Sequence, residues 1–280
     1  MFKAIKSVKK QYDLTNKVCV ITGGAGFLGR QFTSAILEMG GLPILIDVDE
    51  NSLKEATEQI GSDENRIHSI VVDITDEKQI ASAVGKIKSE FNSIDVLINN
   101  AALTKYGCDA DHEAFFAEFE HTNDEVWEQG IKINLTATML CCKNFGSVMV
   151  KQRKGSIINI GSDVGVISPD QTIYQPDDDY NGVPFNTPVF YSVSKAGVIH
   201  LTKHLATLWA KHNVRVNSFS PAGVYRDHDP EFVKKLSSRI PMGRMASINE
   251  YKGAIIFLAS DASSFMTGHN LIMDGGRTIW

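Results

Sequence analysis

Short continuous apolar runs alternate with amphipathic stretches along most of the chain. Val18 to Ile21, Leu42 to Val48, Ile67 to Asp73, Ile94 to Ile98, Gly155 to Ile160, Val214 to Ser220 and Asn270 to Asp274 read as strands. Runs of this kind suit strands buried on both faces of a parallel sheet. Helical spacing links them: Phe32, Ala35, Ile36 and Met39, then Ile80, Val84, Ile87 and Phe91 within 76–91. A long helix is predicted from Asp124 to about Gln152, carrying Val126, Ile133, Leu140 and Val148, and a second over Val189 to Lys211. Glu231 to Arg239 and Ile248 to Ala259 are further helices, while Pro221 stops the sixth strand and Gly275 and Gly276 close the last. No repeat or low-complexity linker interrupts the alternation, which predicts an α/β fold: a single doubly wound domain. The domain is expected over residues 15–280, after an N-terminal extension of residues 1–14 in which Phe2, Ile5 and Val8 make one weak helical stripe. Residues 106–123 hold Phe115, Phe116 and Phe119 among polar neighbours and read either as a lid or as a surface excursion.

Composition narrows the function classes. Over 280 residues the chain is 43% hydrophobic and 22% charged, ordinary for a globular protein. A net charge of −5 gives no general attraction to nucleic acid or to an anionic membrane surface. No apolar stretch approaches the roughly 18 residues of a spanning helix, and the basic N-terminus has no apolar core, which argues against a secretory signal. The four cysteines, Cys19, Cys108, Cys141 and Cys142, have neither CxxC spacing nor histidine partners, so they read as reduced thiols of a cytoplasmic protein and not as metal ligands.

The first strand leads into the stretch around which the chain is organised, Lys17 to Arg30, where Gly23, Gly26 and Gly29 stand three apart before a helix. Glycines between a buried strand and a helix allow positive φ, let backbone N–H groups approach a pyrophosphate and seat the helix close to the strand. The helix N-terminus then faces the phosphates. Asp47 ends the second strand 21 residues after Gly26 (47 − 26). An acid there can accept from both hydroxyls of the adenosine ribose and repels a 2′-phosphate, so it favours NAD over NADP; Asp49 is the competing acid. Asn99, Asn100, Ala101 and Ala102 follow the fourth strand, at the edge where open α/β sheets bind ligands.

The sharpest chemical signal is Tyr191-Ser-Val-Ser-Lys195. Residues four apart share a helix face, and a neighbouring ammonium favours phenolate, bringing a phenol towards useful acid/base strength. TGGAGFLG, NNAA, Asn134 in KINLTA, Ser162 in INIGS, YSVSK and PAG occur in one order that resembles the short-chain dehydrogenase/reductase family over nearly the whole chain after residue 14. The closing run from Pro241 to Gly276 is similar to the end of its shorter branch. The resemblance implies a Rossmann-type fold with a mainly parallel seven-stranded sheet flanked by helices. It also implies that Tyr191 is the general acid/base, Lys195 lowers its pKa and bonds the nicotinamide ribose, Ser162 holds the reacting oxygen, and Asn134 holds a relay water. By the same resemblance Gly23, Gly26, Phe27, Leu28, Gly29, Asp47, Asp73, Ile74, Asn100, Ala101, Ala102, Pro221, Gly223 and Val224 contact the cofactor, with Asp73 at the adenine. A homodimer or homotetramer is also implied, the apolar C-terminus packing between subunits.

Two departures bear on substrate. The G-x-x-G-x-x-G spacing resembles the longer, nucleotide-sugar branch, and Ser162 and Tyr191 lie 29 apart (191 − 162), longer than is usual in the shorter branch. The extra piece, about 168–188, carries Tyr174, Asp177, Asp178, Asp179 and Tyr180. It reads either as a specificity loop for a sugar-like ligand or as a solvated acidic loop. The leading expectation is an NAD-dependent alcohol dehydrogenase or ketone reductase for a small or sugar-like molecule, with surface-glycan or flagellin modification as its niche. The alternatives are a nucleotide-sugar epimerase or dehydratase that retains NAD, and a non-catalytic NAD-binding regulator.

Overall fold

The computed structural model describes residues 7–61, 66–104, 112–174 and 186–280. Seven strands, β1 (Val18–Thr22), β2 (Leu42–Asp47), β3 (His68–Val71), β4 (Val96–Asn99), β5 (Gly155–Ile160), β6 (Val214–Pro221) and β7 (Asn270–Met273), form one sheet in the order β3-β2-β1-β4-β5-β6-β7. Every pairing is parallel. The helices are α1 (Val8–Gln11), α2 (Phe27–Glu38), α3 (Glu50–Ile60), α4 (Glu77–Phe91), α5 (His112–Phe115), α6 (Asp124–Ile131), α7 (Ala137–Gln152), α8 (Val189–Trp209), α9 (Pro230–Ser237) and α10 (Lys252–Ala259). None of the described helices is long and apolar enough to cross a membrane.

The central strands of the sheet are covered on both faces, which is why β1 and β4 read as apolar runs. In β1, Val18 and Val20 join the core formed with Phe145 and Met149 of α7, while Cys19 and Ile21 join the opposite core with Phe32 and Ile36 of α2 and Ile255 of α10. The strand order reverses between β1 and β4, where Thr22 pairs with Asn99, so the loops leaving these two strands diverge. That reversal opens a crevice at the carboxyl edge of the sheet.

The differences from the sequence expectation have local causes. α3 lies in a stretch with no assigned element, because only Leu53 and Ala56 are buried on it and the apolar stripe is too narrow to read. The helix expected unbroken from Asp124 is divided by a π turn over Lys132–Thr136, which separates α6 from α7. α10 starts at Lys252 and not at Ile248, because the Glu250 carboxylate accepts from the Ser247 N–H at 2.7 Å and pairs with Arg244, holding a turn. Val8 is exposed, while Tyr12 and fully buried Leu14 pack on the core, so the chain is anchored before residue 15. Phe2, Ile5, Tyr106, Cys108, Asp177, Asp178, Asp179 and Tyr180 lie outside the described residues. Cys19, Cys141 and Cys142 are free and buried, and burial pushes the Cys142 thiol up to about 12.

Phe145 is fully buried where α7 packs on the sheet. Phe145→Ala is expected to cost about 3–5 kcal/mol of unfolding free energy, read from denaturant midpoints, with the fold retained.

Candidate active site

The crevice is a cleft of about 1050 Å³ running from Asp47 and Asp73 at one end to Tyr191, Phe232 and Arg277 at the other. Its floor begins in the glycine turn. Gly23 has φ +61°, and a Cβ there would lie 2.8 Å from the Cα of Ala101. A Cβ on Gly29 would collide with the Gly23 carbonyl oxygen, so only glycine lets α2 sit this close to its strand. Gly26 caps α2 through extended backbone, without a side-chain cap, and the first-turn N–H groups therefore point toward the cleft beside Phe27 and Leu28. Asn100 locks the turn: its amide nitrogen donates to the carbonyls of Thr22 (3.2 Å) and Gly23 (2.9 Å). The Thr22 hydroxyl in turn accepts from the N–H groups of Asn100 and Ala101.

Asp47 stands at the end of β2 with one oxygen accepting from the Ala25 N–H at 3.2 Å, which ties it to the glycine turn. Asp49 is otherwise engaged. Its carboxylate caps α3 by accepting from the Asn51 and Ser52 N–H groups and from the Ser52 hydroxyl, and these bonds hold its pKa below the ordinary carboxylate value. Asp73 accepts from the Thr75 N–H at 2.8 Å and lines the cleft with Ile74. Pro221, Gly223 and Val224 line its far wall, where Tyr251 donates to the Ala222 carbonyl at 2.9 Å. The Arg226 guanidinium stands 4.6 Å from the ring centroid of Phe27, linking the loop after β6 to the start of α2. These features suit a dinucleotide: donors and a helix N-terminus for phosphates, an acid for ribose hydroxyls, and an apolar slot at Ile46, Val72 and Ile74 for a base.

Tyr191, Lys195 and Ser162 meet at the other end. Lys195 is buried, its Nζ donates to the Ile160 carbonyl at 2.8 Å, and it stands 5.7 Å from the ring centroid of Tyr191. Ser162 follows β5, and its hydroxyl donates to Asp163 at 2.9 Å. Burial, then the Asp163 charge, push the Tyr191 phenol up to about 12, while a hydrogen bond with Ser162 pulls it down. Burial also pushes Lys195 down to about 8. Asn134 sits in the π turn; its side-chain oxygen accepts from the Leu103 N–H at 2.6 Å, and its amide donates to the Leu103 carbonyl at 3.3 Å. Its backbone carbonyl accepts from the Thr138 hydroxyl at 2.9 Å.

The substrate end carries groups that the motifs did not identify. Asp163 and Arg277 form a buried ion pair beside Ser162. The Thr187 hydroxyl donates to the Tyr174 phenol at 3.2 Å, Tyr174 stacks on Phe232, and Arg239 pairs with Asp170 at 2.6 Å. These contacts seat both ends of the 168–188 insertion on the domain. Phe115 and Phe116 are buried and Phe115 packs edge-on against Phe190, whereas Phe119 is exposed. The signal for Asp163 and Arg277 lay in plain view, directly after Ser162 and directly after the Gly275-Gly276 pair, but the partners are 114 residues apart (277 − 163).

The family profile described as short chain dehydrogenase matches residues 17–175, and the one described as Enoyl-(Acyl carrier protein) reductase matches residues 180–278. An NAD-dependent glycerol dehydrogenase from Listeria innocua is 31% identical, with 98% of each chain covered. A 3-oxoacyl-[acyl-carrier-protein] reductase from Thermotoga maritima is 32% identical over 95% of this chain and 99% of its own. Among solved structures, an NAD+-bound xylitol dehydrogenase superposes with a TM-score of 0.80 at 28% identity, covering 94% of this chain and 99% of that one. The chain belongs to the short-chain dehydrogenase/reductase family and is an NAD(P)-dependent oxidoreductase.

Two outcomes follow. Tyr191→Phe is expected to abolish turnover while NAD affinity, measured by fluorescence titration, stays within a few-fold. Lys195 has a folded-state pKa of about 8 against 10.5 ordinarily, so the unfolded chain binds more protons between those values and stability rises with pH across that window. Lys195→Met is expected to remove that rise in thermal scans and to increase the melting temperature at pH 7.

Proposed function

We propose that this protein is an NAD-dependent dehydrogenase for a secondary alcohol of a small polyol or sugar alcohol. One observation carries the reading: Tyr191, Ser162 and buried Lys195 converge at the end of a dinucleotide-shaped cleft whose substrate wall adds Asp163, Arg277, Tyr174 and Thr187. Such polar groups match a ligand with several hydroxyls. The glycerol and xylitol dehydrogenases found by comparison support that substrate class.

The glycine turn and the start of α2 would hold the pyrophosphate, and Asp47 the adenosine ribose, favouring NAD over NADP. The bound nicotinamide would supply the hydride acceptor. Ser162 holds the reacting oxygen as a hydrogen-bond donor, placed where negative charge develops as the proton leaves. Tyr191, as phenolate, takes the hydroxyl proton as the carbinol hydrogen leaves with its electron pair, so the alcohol becomes a ketone and the phenol is neutral again. Lys195, fixed on the Ile160 carbonyl, supplies the cation beside that phenol. The reading includes a cytoplasmic homodimer or homotetramer, supported by exposed Met139, Val193 and Leu208 on α7 and α8.

The Thermotoga relative favours a second reading, reduction of a 3-oxoacyl thioester. The retained-NAD epimerase reading has no counterpart among the relatives described above. The sequence expectation of a role in surface-glycan or flagellin modification has no counterpart among the relatives described above, and Asp177, Asp178 and Asp179 of the insertion lie outside the described residues.

Initial rates of NADH formation across glycerol, four- to six-carbon polyols and nucleotide sugars are expected to show net NADH release with a polyol and none with nucleotide sugars. Turnover confined to acetoacetyl thioesters would overturn the proposal. Asp47→Ala is expected to relax the preference for NAD over NADP, measured as the ratio of kcat/KM values.

A further inference from the structure

One basic side chain stands beside the start of α2 and has no part in the reaction above. Arg226 belongs to the loop between β6 and α9, is exposed, and lines the cleft. Its guanidinium lies 4.6 Å from the ring centroid of Phe27, the first residue of α2. The backbone that carries it is held on both sides. Before it, the Tyr225 N–H donates to the Ala246 carbonyl at 2.9 Å, and the Ala246 N–H donates to the Gly223 carbonyl at 3.2 Å. The Arg226 N–H itself donates to His228 Nδ1 at 3.1 Å. After it, Asp227 takes a left-handed φ of +45°, and the Asp229 carboxylate accepts from the Glu231 and Phe232 N–H groups at the start of α9. A fixed loop therefore presents Arg226 to α2 across the crevice.

Charge and shape decide what this side chain is suited to. A pyrophosphate carries full negative charge, and the glycine turn with the start of α2 would meet it with backbone N–H groups, which bring only partial positive charge. The other lysines and arginines that line the cleft among the described residues are placed elsewhere. Lys195 bonds the Ile160 carbonyl, Arg277 pairs with Asp163, and Lys132 lies in the π turn between α6 and α7. Stacking engages the face of a guanidinium, whereas its N–H donors lie in its plane. One arginine can therefore rest on an aromatic ring and grip a phosphate with two parallel bonds, which a lysine cannot do. Asp227 and Asp229 follow Arg226 directly, so the loop is not basic as a whole. Any preference for an anion must come from where Arg226 is placed.

We infer that Arg226 is a cofactor-binding residue: its guanidinium, stacked on Phe27, grips the pyrophosphate of the bound dinucleotide from across the crevice. Cofactor binding thereby ties the loop after β6 to the start of α2. The same loop leads into α9, whose Phe232 stacks on Tyr174, so the clamp joins the cofactor end of the cleft to its substrate end. This rests on the reading that the glycine turn holds a pyrophosphate, and the test is arranged so that the two can fail separately.

The test measures dissociation constants of NAD and ADP-ribose by calorimetry for the parent, Arg226→Met and Arg226→Lys, at low and high salt. The melting temperature of each cofactor-free protein is recorded alongside. ADP-ribose keeps the pyrophosphate and lacks the nicotinamide. Arg226→Met is expected to weaken both ligands by a similar factor, about tenfold or more, as for the loss of a hydrogen bond between charged groups. It is also expected to flatten the salt dependence of both affinities. Arg226→Lys, which keeps the charge and loses the planar fork, is expected to fall between the two. Melting temperatures without ligand are expected to be unchanged, because Arg226 is exposed. Equal affinities in all three proteins would overturn the proposal. So would weakening of NAD alone, which would place Arg226 at the nicotinamide. A loss of affinity that comes with a lower melting temperature and is not partly recovered by lysine would also overturn it, as the mark of a packing role. A parent that binds neither NAD nor ADP-ribose would overturn the cofactor reading itself. Calorimetry needs no substrate, so failure of the polyol assignment leaves the role of Arg226 standing.

Discussion

The site depends on a buried ammonium. Lys195 lies on α8, and its bond to the Ile160 carbonyl fixes that helix against the last residue of β5. Because Ser162 follows Ile160 by two residues and Tyr191 precedes Lys195 by four, this one bond sets the spacing of all three groups. Burying a cation is costly, and its lowered pKa measures that cost. The packing of α8 on the sheet must therefore hold it in place, and that packing is part of the same core that covers both sheet faces. Stability is conceded at the site and supplied elsewhere.

The electrostatics of the cleft divide by end. At the adenosine end Asp47 faces the glycine turn and the start of α2, where a pyrophosphate would be met by backbone donors. At the reacting end burial keeps the phenol neutral and holds the ammonium near its titration point, with Asp163 and Arg277 as a second opposed pair. A phenol held high in the free protein does not lose a proton idly. It ionises only when further positive charge or a tightly placed hydroxyl lowers the cost, which couples proton transfer to formation of the complete complex.

Much of the fold was legible because the central strands are covered on both faces, so stretches such as Val18–Ile21 and Val96–Ile98 are apolar throughout. The glycine turn, Asp47 and the Tyr191–Lys195 spacing were legible because each obeys a local rule of backbone or helix geometry. What could not be read depended on distant partners. α3 shows a two-residue stripe, the π turn at Asn134 exists beside the Leu103 backbone, and Asp163 acquires meaning only when β7 brings Arg277 to it. Four-residue spacing shows that a cation is near Tyr191, while the burial of both groups is a property of the folded cleft.

The most direct test of this account is the titration of Tyr191 by carbon-13 NMR of labelled tyrosine rings, its resonance identified by loss in Tyr191→Phe, in free and NAD-loaded protein. The account predicts a value well above the ordinary 10 of a phenol in the free protein, near 12, falling on loading with NAD. A value at or below 10 in the free protein, unchanged by NAD, would contradict it.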